Sequence, residues 1–297
     1  ACENAGAGNG GSGGSDGGDV ADPDGAPGDP LPFITTWQTD ATGDDTVSSD
    51  RQVKLPIDPN GTYDFTIDWR DGTVQQITGY PANPDSDLRH TYAAAGNYDV
   101  EITGVIEGFG FGIDYGAGNT DADKLVDVKQ WGTVVFRSDG GVFMDADNLA
   151  GFTATDLPDL GTVSNFRSLF NDADTFNDDL KDWDTAAVIT MRAMFYQADA
   201  FNRDISSWDT SAVTDMSFMF SEADVYNQDL NGWDTAAVTD MRAMFQGAGA
   251  FNSDIRFWDV SAVTDMRSMF SHARTFNQDL NSWQTSVVMV KPGGTFT

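Results

Sequence analysis

The sequence predicts an α+β protein of two modules, a β-sandwich followed by a solenoid of short strands and short helices, with a disordered N-terminal tether. Three observations support this fold class. Residues 1–32 are rich in Gly and Asp, residues 33–115 show strand-like alternation, and residues 116–297 contain a 25-residue repeat. Units of that length bury a continuous apolar core only when they stack on one another.

The charge balance of the chain restricts its partners. Its 297 residues include 47 acidic side chains against 16 Lys and Arg, a net charge of −31, and 43 of the acids are Asp. Nucleic acids and anionic membranes both attract basic surfaces, so neither is expected to bind here. The sequence also lacks an apolar run of about 18 residues, the length that spans a bilayer.

The tether is predicted to be disordered because it cannot bury enough apolar surface to offset chain entropy. It contains ten Gly, six acidic residues and no Lys or Arg. Its Cys2, the one cysteine of the chain, follows Ala1. This pair is similar to the end of a bacterial lipoprotein signal, so Cys2 is a candidate lipid-attachment site and the only expected link to a membrane. A disulfide between two chains and an unmodified thiol are the alternatives.

Residues 33–115 alternate apolar and polar side chains, as half-buried strands do. The clearest run places four large side chains on one face of a strand: Tyr63, Phe65, Ile67 and Trp69. An Asp71-Gly72 pair directly after this run indicates a turn. Several short strands of this kind in about 80 residues predict an all-β sandwich.

Two motifs in this region resemble the polycystic-kidney-disease type of immunoglobulin-like module. The first is the run Asp-Trp-Arg-Asp-Gly-Thr at 68–73, in which Arg70 stands where that module usually has glycine. The second is His90-Thr91-Tyr92, followed by Gly-Asn-Tyr at 96–98. The resemblance implies a spacer or protein-contact module without catalytic chemistry.

The 25-residue repeat is the strongest pattern in the chain. A cap is expected at about 124–150 and repeats at 151–290, with four full copies in 176–275. In the copy 201–225 the apolar residues Val213, Met216, Met219 and Phe220 have the spacing of one face of a short helix. The residue before the first Met of each copy favours helix N-caps: Asn165, Thr190, Asp215, Asp240 and Asp265.

The repeats resemble the BspA-like leucine-rich-repeat family. The resemblance rests on the run Trp-Asp-Thr-Ala-Ala-Val-Thr-Asp-Met-Arg-Ala-Met-Phe at 233–245 and on Phe-Asn-Gln-Asp-Leu-Asn-Ser-Trp at 276–283. It covers roughly residues 124 to 290. It implies an extracellular or bacterial cell-surface protein associated with adhesion or protein binding, and it implies no catalytic residues.

One column of aspartates has two interpretations. The column consists of Asp179, Asp204, Asp229, Asp254 and Asp279, each at the same position of its copy. Stacking would place neighbours roughly 5 Å apart, where like charges repel by about 3 kcal/mol at an effective dielectric of 20. A ladder of Ca²⁺ sites would relieve this repulsion. Alternatively, each Asp accepts hydrogen bonds from backbone N–H groups of its own turn. No other cofactor is expected.

The sequence favours a non-catalytic function. A nucleophile elbow and a phosphate loop are both missing, and the two histidines, His90 and His272, fall in different modules. The first hypothesis is a surface protein whose solenoid face binds a protein or surface ligand through variable loops at 196–200, 221–225, 246–250 and 271–275. The alternative is a subunit of an extracellular filament or surface layer that self-associates through Val287–Val290 or the N-terminal tail.

Overall fold

The computed structural model describes residues 30–42, 46–112 and 121–285. Cys2 and Val287–Val290 lie outside these ranges. A four-residue helix, α1 (Pro84–Asp87), and a 3-10 turn at Ala122–Lys124 accompany eight strands. The strands are β1 (Phe33–Gln38), β2 (Gln52–Lys54), β3 (Ile57–Asp68), β4 (Val74–Thr78), β5 (Arg89–Thr91), β6 (Asn97–Phe109), β7 (Leu125–Gln130) and β8 (Val135–Phe136).

The strands form where apolar and polar residues alternate. In β3 the side chains of Tyr63, Phe65 and Ile67 are buried, whereas the residues between them face solvent. β3 and β4 form an antiparallel hairpin, in which Trp69 N–H donates to Thr73 O (3.1 Å). Arg70 adopts a φ of 58° in this hairpin, so a residue other than glycine takes the left-handed conformation that the turn requires.

Two sheets form the β module. The larger has the order β4-β3-β6-β1-β7, with β8 parallel to β6, and the smaller pairs β2 with β5. Aromatic contacts join the two sheets. The ring of His90 on β5 stacks on Trp69 (4.6 Å between centroids), and Tyr92 stacks on Tyr98 of β6 (3.7 Å).

β7 links the β module to the repeats. It lies in the region predicted as the cap of the repeats, yet it pairs with β1 as an edge strand of the larger sheet. Val128 O on β7 accepts hydrogen bonds from the N–H groups of Thr153 (3.1 Å) and Ala154 (3.0 Å). Trp131 packs against Phe33 on one side and Phe152 on the other. One continuous apolar core therefore runs from the sheet into the repeats.

The α+β prediction is wrong, because the predicted repeat helices are not present. The described part of the chain is nearly all β and turn, and its two short helical segments lie outside the repeats. In the copy 201–225, N–H groups of Met219 and Ser221 donate to the carbonyls of Met216 and Phe218, which closes consecutive tight turns. Phe218 has a φ of 60°, and a right-handed α-helix cannot continue through that conformation.

We call residues 139–285 the coil stack, because each 25-residue copy forms one coil that lies on the next. Single parallel β-bridges join successive coils in the series Asn165, Thr190, Asp215, Asp240 and Asp265. Alternate backbone N–H groups also donate to the following coil, as from Met216 to Asp240 O (3.0 Å) and from Phe218 to Arg242 O (2.8 Å). The backbone is thereby satisfied across coils without helices.

Columns of aromatic rings form the core of the coil stack. Phe170, Phe195, Phe220 and Phe245 stack with centroids 5.6 Å apart and nearly parallel planes. In four successive coils the Trp donates Nε1–H to a carbonyl of the preceding coil, as Trp208 does to Leu180 O (2.8 Å). Only side chains of matched shape fit such a column, which explains the strict 25-residue period.

Candidate binding face of the coil stack

The Asp179 column closes turns of the backbone. In each of its five members, carboxylate Oδ1 accepts the backbone N–H two residues later, at 2.9–3.0 Å. Asp179 and Asp254 also pair with Lys181 and Arg256. The donors are residues of the same coil, which is the arrangement of an Asx turn.

The calcium interpretation gains no support from this geometry. Among the described residues, no group of three or more His, Cys, Asp or Glu side chains is placed to hold a metal ion. The pKa of Asp204 is lowered mainly by the backbone N–H of Ser206, and the pKa of Asp179 mainly by its hydrogen bond with Lys181. Both carboxylates are thus stabilised in their charged form by contacts within their own turn.

Two further columns have similar turn geometry. In the column after the Trp residues, formed by Asp184, Asp209, Asp234 and Asp259, each Oδ1 accepts the N–H two residues later. The residues predicted as helix caps make the same kind of contact without a helix, as Asp240 does with the N–H of Arg242 (2.8 Å). A capping side chain therefore identified a turn correctly, but not the element that follows it.

A ladder of asparagines connects the coils. Oδ1 of Asn177, Asn202, Asn227 and Asn252 accepts the backbone N–H of the Asn 25 residues later, at 2.7–3.1 Å. In a regular sheet a backbone carbonyl would accept each of these N–H groups. Here the backbone is irregular, and the Asn amide oxygen accepts the hydrogen bond instead.

Carboxylates are concentrated at one corner of the coil stack. Burial, together with the neighbouring charges of Asp123, Asp174, Asp172 and Asp145, raises the pKa of Asp147 to about 7. One of its carboxylate oxygens is buried without a hydrogen-bond partner among the described residues. The corner continues along the coils to Asp199, whose pKa is raised by burial and by Asp174, Asp224 and Glu222. Like charges at this corner are therefore only partly neutralised.

A groove of about 370 Å³ lies beside this corner. Its lining includes Ala193, which has a φ of 52° and occupies the position that Phe218 occupies in the next coil. Its walls come from successive coils and combine carboxylate, aromatic and guanidinium groups: Met144, Asp145, Asp172, Arg192, Tyr196 and Phe218. Among the lining residues, Tyr196 and Gln197 fall in the loops predicted to be variable and functional.

Phe218, which lines the groove, contacts two arginines, of which Arg192 also lines the groove and Arg242 lies beyond its lining. The guanidinium carbons of Arg192 and Arg242 lie 5.2 and 4.8 Å from the centroid of its ring. Because Phe218 belongs to the coil between them, the two cations lie on opposite sides of the ring. Arg192 also donates from a terminal guanidinium nitrogen to Ser217 Oγ (2.8 Å). The cation–π contacts restrain two long side chains that otherwise sample many rotamers.

These arginines belong to a row that sequence reasoning missed. Arg167, Arg192, Arg242 and Arg267 occupy one position of their coils, and Ser217 interrupts the row. Within the described ranges, only Arg267 of the four pairs with a carboxylate, that of Asp265. The sequence signal for this site is a departure from the repeat. Phe218 stands at a position where the other copies have Ser or Ala.

The other sites considered from the sequence are structural or exposed. His90 lies in β5, stacks on Trp69 and contacts Asp71 Oδ2 at 2.8 Å. His272 is exposed on the last full coil. The described part of the chain contains no helix of the length and apolarity that crossing a membrane requires.

One family model matches the coil stack. It is described as Mycoplasma protein of unknown function, DUF285, and it matches residues 139–248 and 225–292, which together make up just over half of the chain. No curated protein matches the chain, and no solved structure does.

Proposed function

The chain belongs to the DUF285 family, and from that premise we propose that it is a non-catalytic protein of the cell surface that binds its partner through the groove face of the coil stack. The partner class is a protein or a surface ligand. The β module acts as the spacer that carries this face, as its resemblance to the polycystic-kidney-disease type of module implies.

The groove is the observation that carries the proposal. Core positions of the coil stack are nearly invariant, whereas two groove positions depart from their equivalents in other coils. Phe218 corresponds to Ser168, Ala193, Ala243 and Ser268, all small residues. A constant scaffold with local variation on one face is typical of repeat proteins that bind other molecules.

The resemblance of the repeats to BspA-like proteins supports an extracellular location and adhesion. The residues that carry this resemblance are residues of the coil stack. Antibody labelling of intact source cells tests the location, because a surface protein is labelled without permeabilisation. Labelling only after permeabilisation would contradict it.

A peptide-display selection tests binding through the groove. The whole chain is used to select from a random peptide library, beside the double variant Tyr196→Ser and Phe218→Ala. These replacements already occur at equivalent positions, as Ser221 and Ala243, so the variant is expected to fold. We expect peptides enriched on the wild-type chain to be lost on the variant.

The matched control is Phe257→Ser. Phe257 is 76% exposed and lies away from the groove, and Ser207 is its equivalent in another coil. Peptides should be retained on this control, since it removes an exposed aromatic ring without changing the groove. Equal enrichment on all three proteins would contradict groove binding.

The alternative function, a filament or surface-layer subunit, depends on Val287–Val290 or the N-terminal tail. Both lie outside the described residues. It therefore remains a prediction from the sequence.

A further inference from the structure

We propose that the groove face binds an extended acidic peptide in the polyproline II conformation, with acidic side chains three residues apart on Arg192 and Arg242. This inference rests on the proposed binding function and adds the chemistry of the partner. The arginine row and the lining of the groove support it, and the spacing of the two cations is compatible with it.

The charge of the row selects an anionic partner. The chain carries 47 acids against 16 Lys and Arg, yet four Arg occupy one column of this face. Arg192 and Arg242 form no ion pair with a carboxylate of the described residues, in contrast to Arg267. Arg presents a planar donor fork that matches a carboxylate, so a carboxylate on a partner fits each of them.

The spacing of the cations fits an extended partner. The distances to the Phe218 ring place the guanidinium carbons of Arg192 and Arg242 at most 10 Å apart. In polyproline II, residues three apart lie on one face of the helix and are separated by about 9 Å. In a β-strand, alternate residues on one face are about 7 Å apart, a spacing that the same upper limit allows, so the lining of the groove decides between the two conformations.

The walls of the groove suit such a peptide. Tyr196 and Phe218 line it together with the aliphatic Met144 and Ala193. Aromatic-lined grooves bind polyproline II peptides because proline rings are apolar and the extended chain loses little entropy on binding. Gln197 adds an amide group that can donate to and accept from a peptide backbone.

The carboxylates at the other end of the groove set the polarity of the peptide. Asp145 and Asp172 lie on the coils before Arg192. An acidic residue at this end would meet like charge, whereas a neutral or basic residue would not. The preferred peptide therefore has acidic residues at the Arg192–Arg242 end only.

Two labelled synthetic peptides of identical composition test the spacing. In one, Glu recurs at every third residue in a proline background, and in the other the same Glu residues are placed at irregular intervals. We expect fluorescence anisotropy at low salt to show about tenfold or tighter binding of the regular peptide, because it engages both arginines at once. High salt should reduce this difference. Equal affinity for the two peptides would overturn the proposal.

A double variant of the two arginines tests the residues, with a single variant elsewhere as its control. Arg192→Gln combined with Arg242→Gln should remove the preference for the regular peptide. Arg256→Gln is the control, because this Arg pairs with Asp254 at a different position of its coil. Phe218→Leu keeps an apolar side chain but loses the cation–π contacts, so it should give an intermediate loss. Retained preference in the double variant would overturn the proposal, provided its unfolding curve matches wild type.

Polygalacturonate serves as the competing probe, since it carries carboxylates on a polysaccharide chain. Binding of this polymer without binding of either peptide would overturn a peptide partner. The peptide-display selection distinguishes failure of the acidic-peptide proposal from failure of groove binding itself. Peptides that depend on the groove but carry no regular acids would leave groove binding intact and refute the acidic polyproline II partner alone.

Discussion

The β module and the coil stack satisfy their backbones in different ways. In the β module, strands distant in sequence pair along continuous ladders, as β1 does with β6 and β7. In the coil stack, isolated bridges and alternate N–H groups join neighbouring coils, and side chains of Asp, Asn, Thr and Trp supply further acceptors and donors. Polar side chains therefore matter more to the fold of the coil stack than their exposure suggests.

The largest expected effect tests whether the two regions share one core. Phe195→Ala removes a ring that stacks on Phe170, Phe201 and Phe220. We expect a loss of about 4 kcal/mol in the free energy of unfolding, measured by urea denaturation. The control Phe65→Ala in the β module should cost a similar amount and lower the same single transition. Two separate transitions would show that the cores are energetically independent.

The next effect concerns a buried cation at the junction. Lys124 is fully buried, and its Nζ donates to the carbonyls of Ser48, Ser49 and Gln52 at 2.8–3.2 Å. Lys124→Met leaves these carbonyls unpaired, so we expect a loss of about 3 kcal/mol. Thermal unfolding provides the measurement.

Lys129→Met is the control for this junction. Lys129 forms an exposed ion pair with Asp99, which contributes at most about 1 kcal/mol. A similar loss in both variants would mean that burial of the Lys124 network does not matter.

A smaller effect tests the role of side-chain acceptors in the coil stack. Asn227→Ala removes the Oδ1 that accepts the N–H of Asn252 at 2.7 Å. The expected loss is about 1 kcal/mol, read from the urea midpoint. Asn227→Asp keeps an acceptor at this position and should recover most of the loss. Equal losses would assign the effect to something other than the hydrogen bond.

The smallest effect depends on pH. The folded pKa of Asp147 is raised to about 7 from an ordinary value of 3.8, so the folded state binds this proton more tightly than the unfolded state. Stability contributed by the protonated carboxyl is present below about pH 4 and is lost as pH rises through 7. Asp147→Asn should therefore raise stability by about 1 kcal/mol at pH 8, allowing for solvent screening. No gain is expected at pH 4.

Asp209→Asn provides a control of opposite sign for the pH dependence. Its pKa is lowered, chiefly by the side chain of Ser211, so the charged form is favoured in the folded state. Removing the charge should lower the melting temperature slightly at pH 8. A gain at pH 8 for both variants would point to a general effect of reduced net charge.

Residue patterns predicted strands of the β module but not the elements of the coil stack. Strand alternation in Tyr63, Phe65 and Ile67 was confirmed, because burial on one face acts locally along a strand. The helix prediction was wrong. Val213, Met216, Met219 and Phe220 have the spacing of one helix face, but consecutive turns rather than a helix place them in the core. The left-handed conformation of Phe218 was not predictable, since Ser, Ala and Phe rarely adopt it and no glycine marks the position.

The candidate site was less predictable than the fold. The most regular feature of the repeats is the aspartate columns, and these aspartates close turns rather than form a binding site. The groove instead arises where copies differ, at Tyr196 and Phe218, and the two arginines that contact Phe218 are 50 residues apart in the chain. Proximity of this kind depends on the stacking register, which became evident only with the structure.

The in-register stacking also has a consequence for how such chains vary in length. A duplication or loss of one whole copy preserves every contact between adjacent coils, because each coil meets only its neighbours. Copies gained after residue 247 would leave the groove and Arg242 unchanged and move the last described coil outward by one ring spacing, 5.6–5.8 Å. The coil stack can thus serve as a ruler whose length is set by unequal recombination, while its binding groove keeps a fixed distance from the β module.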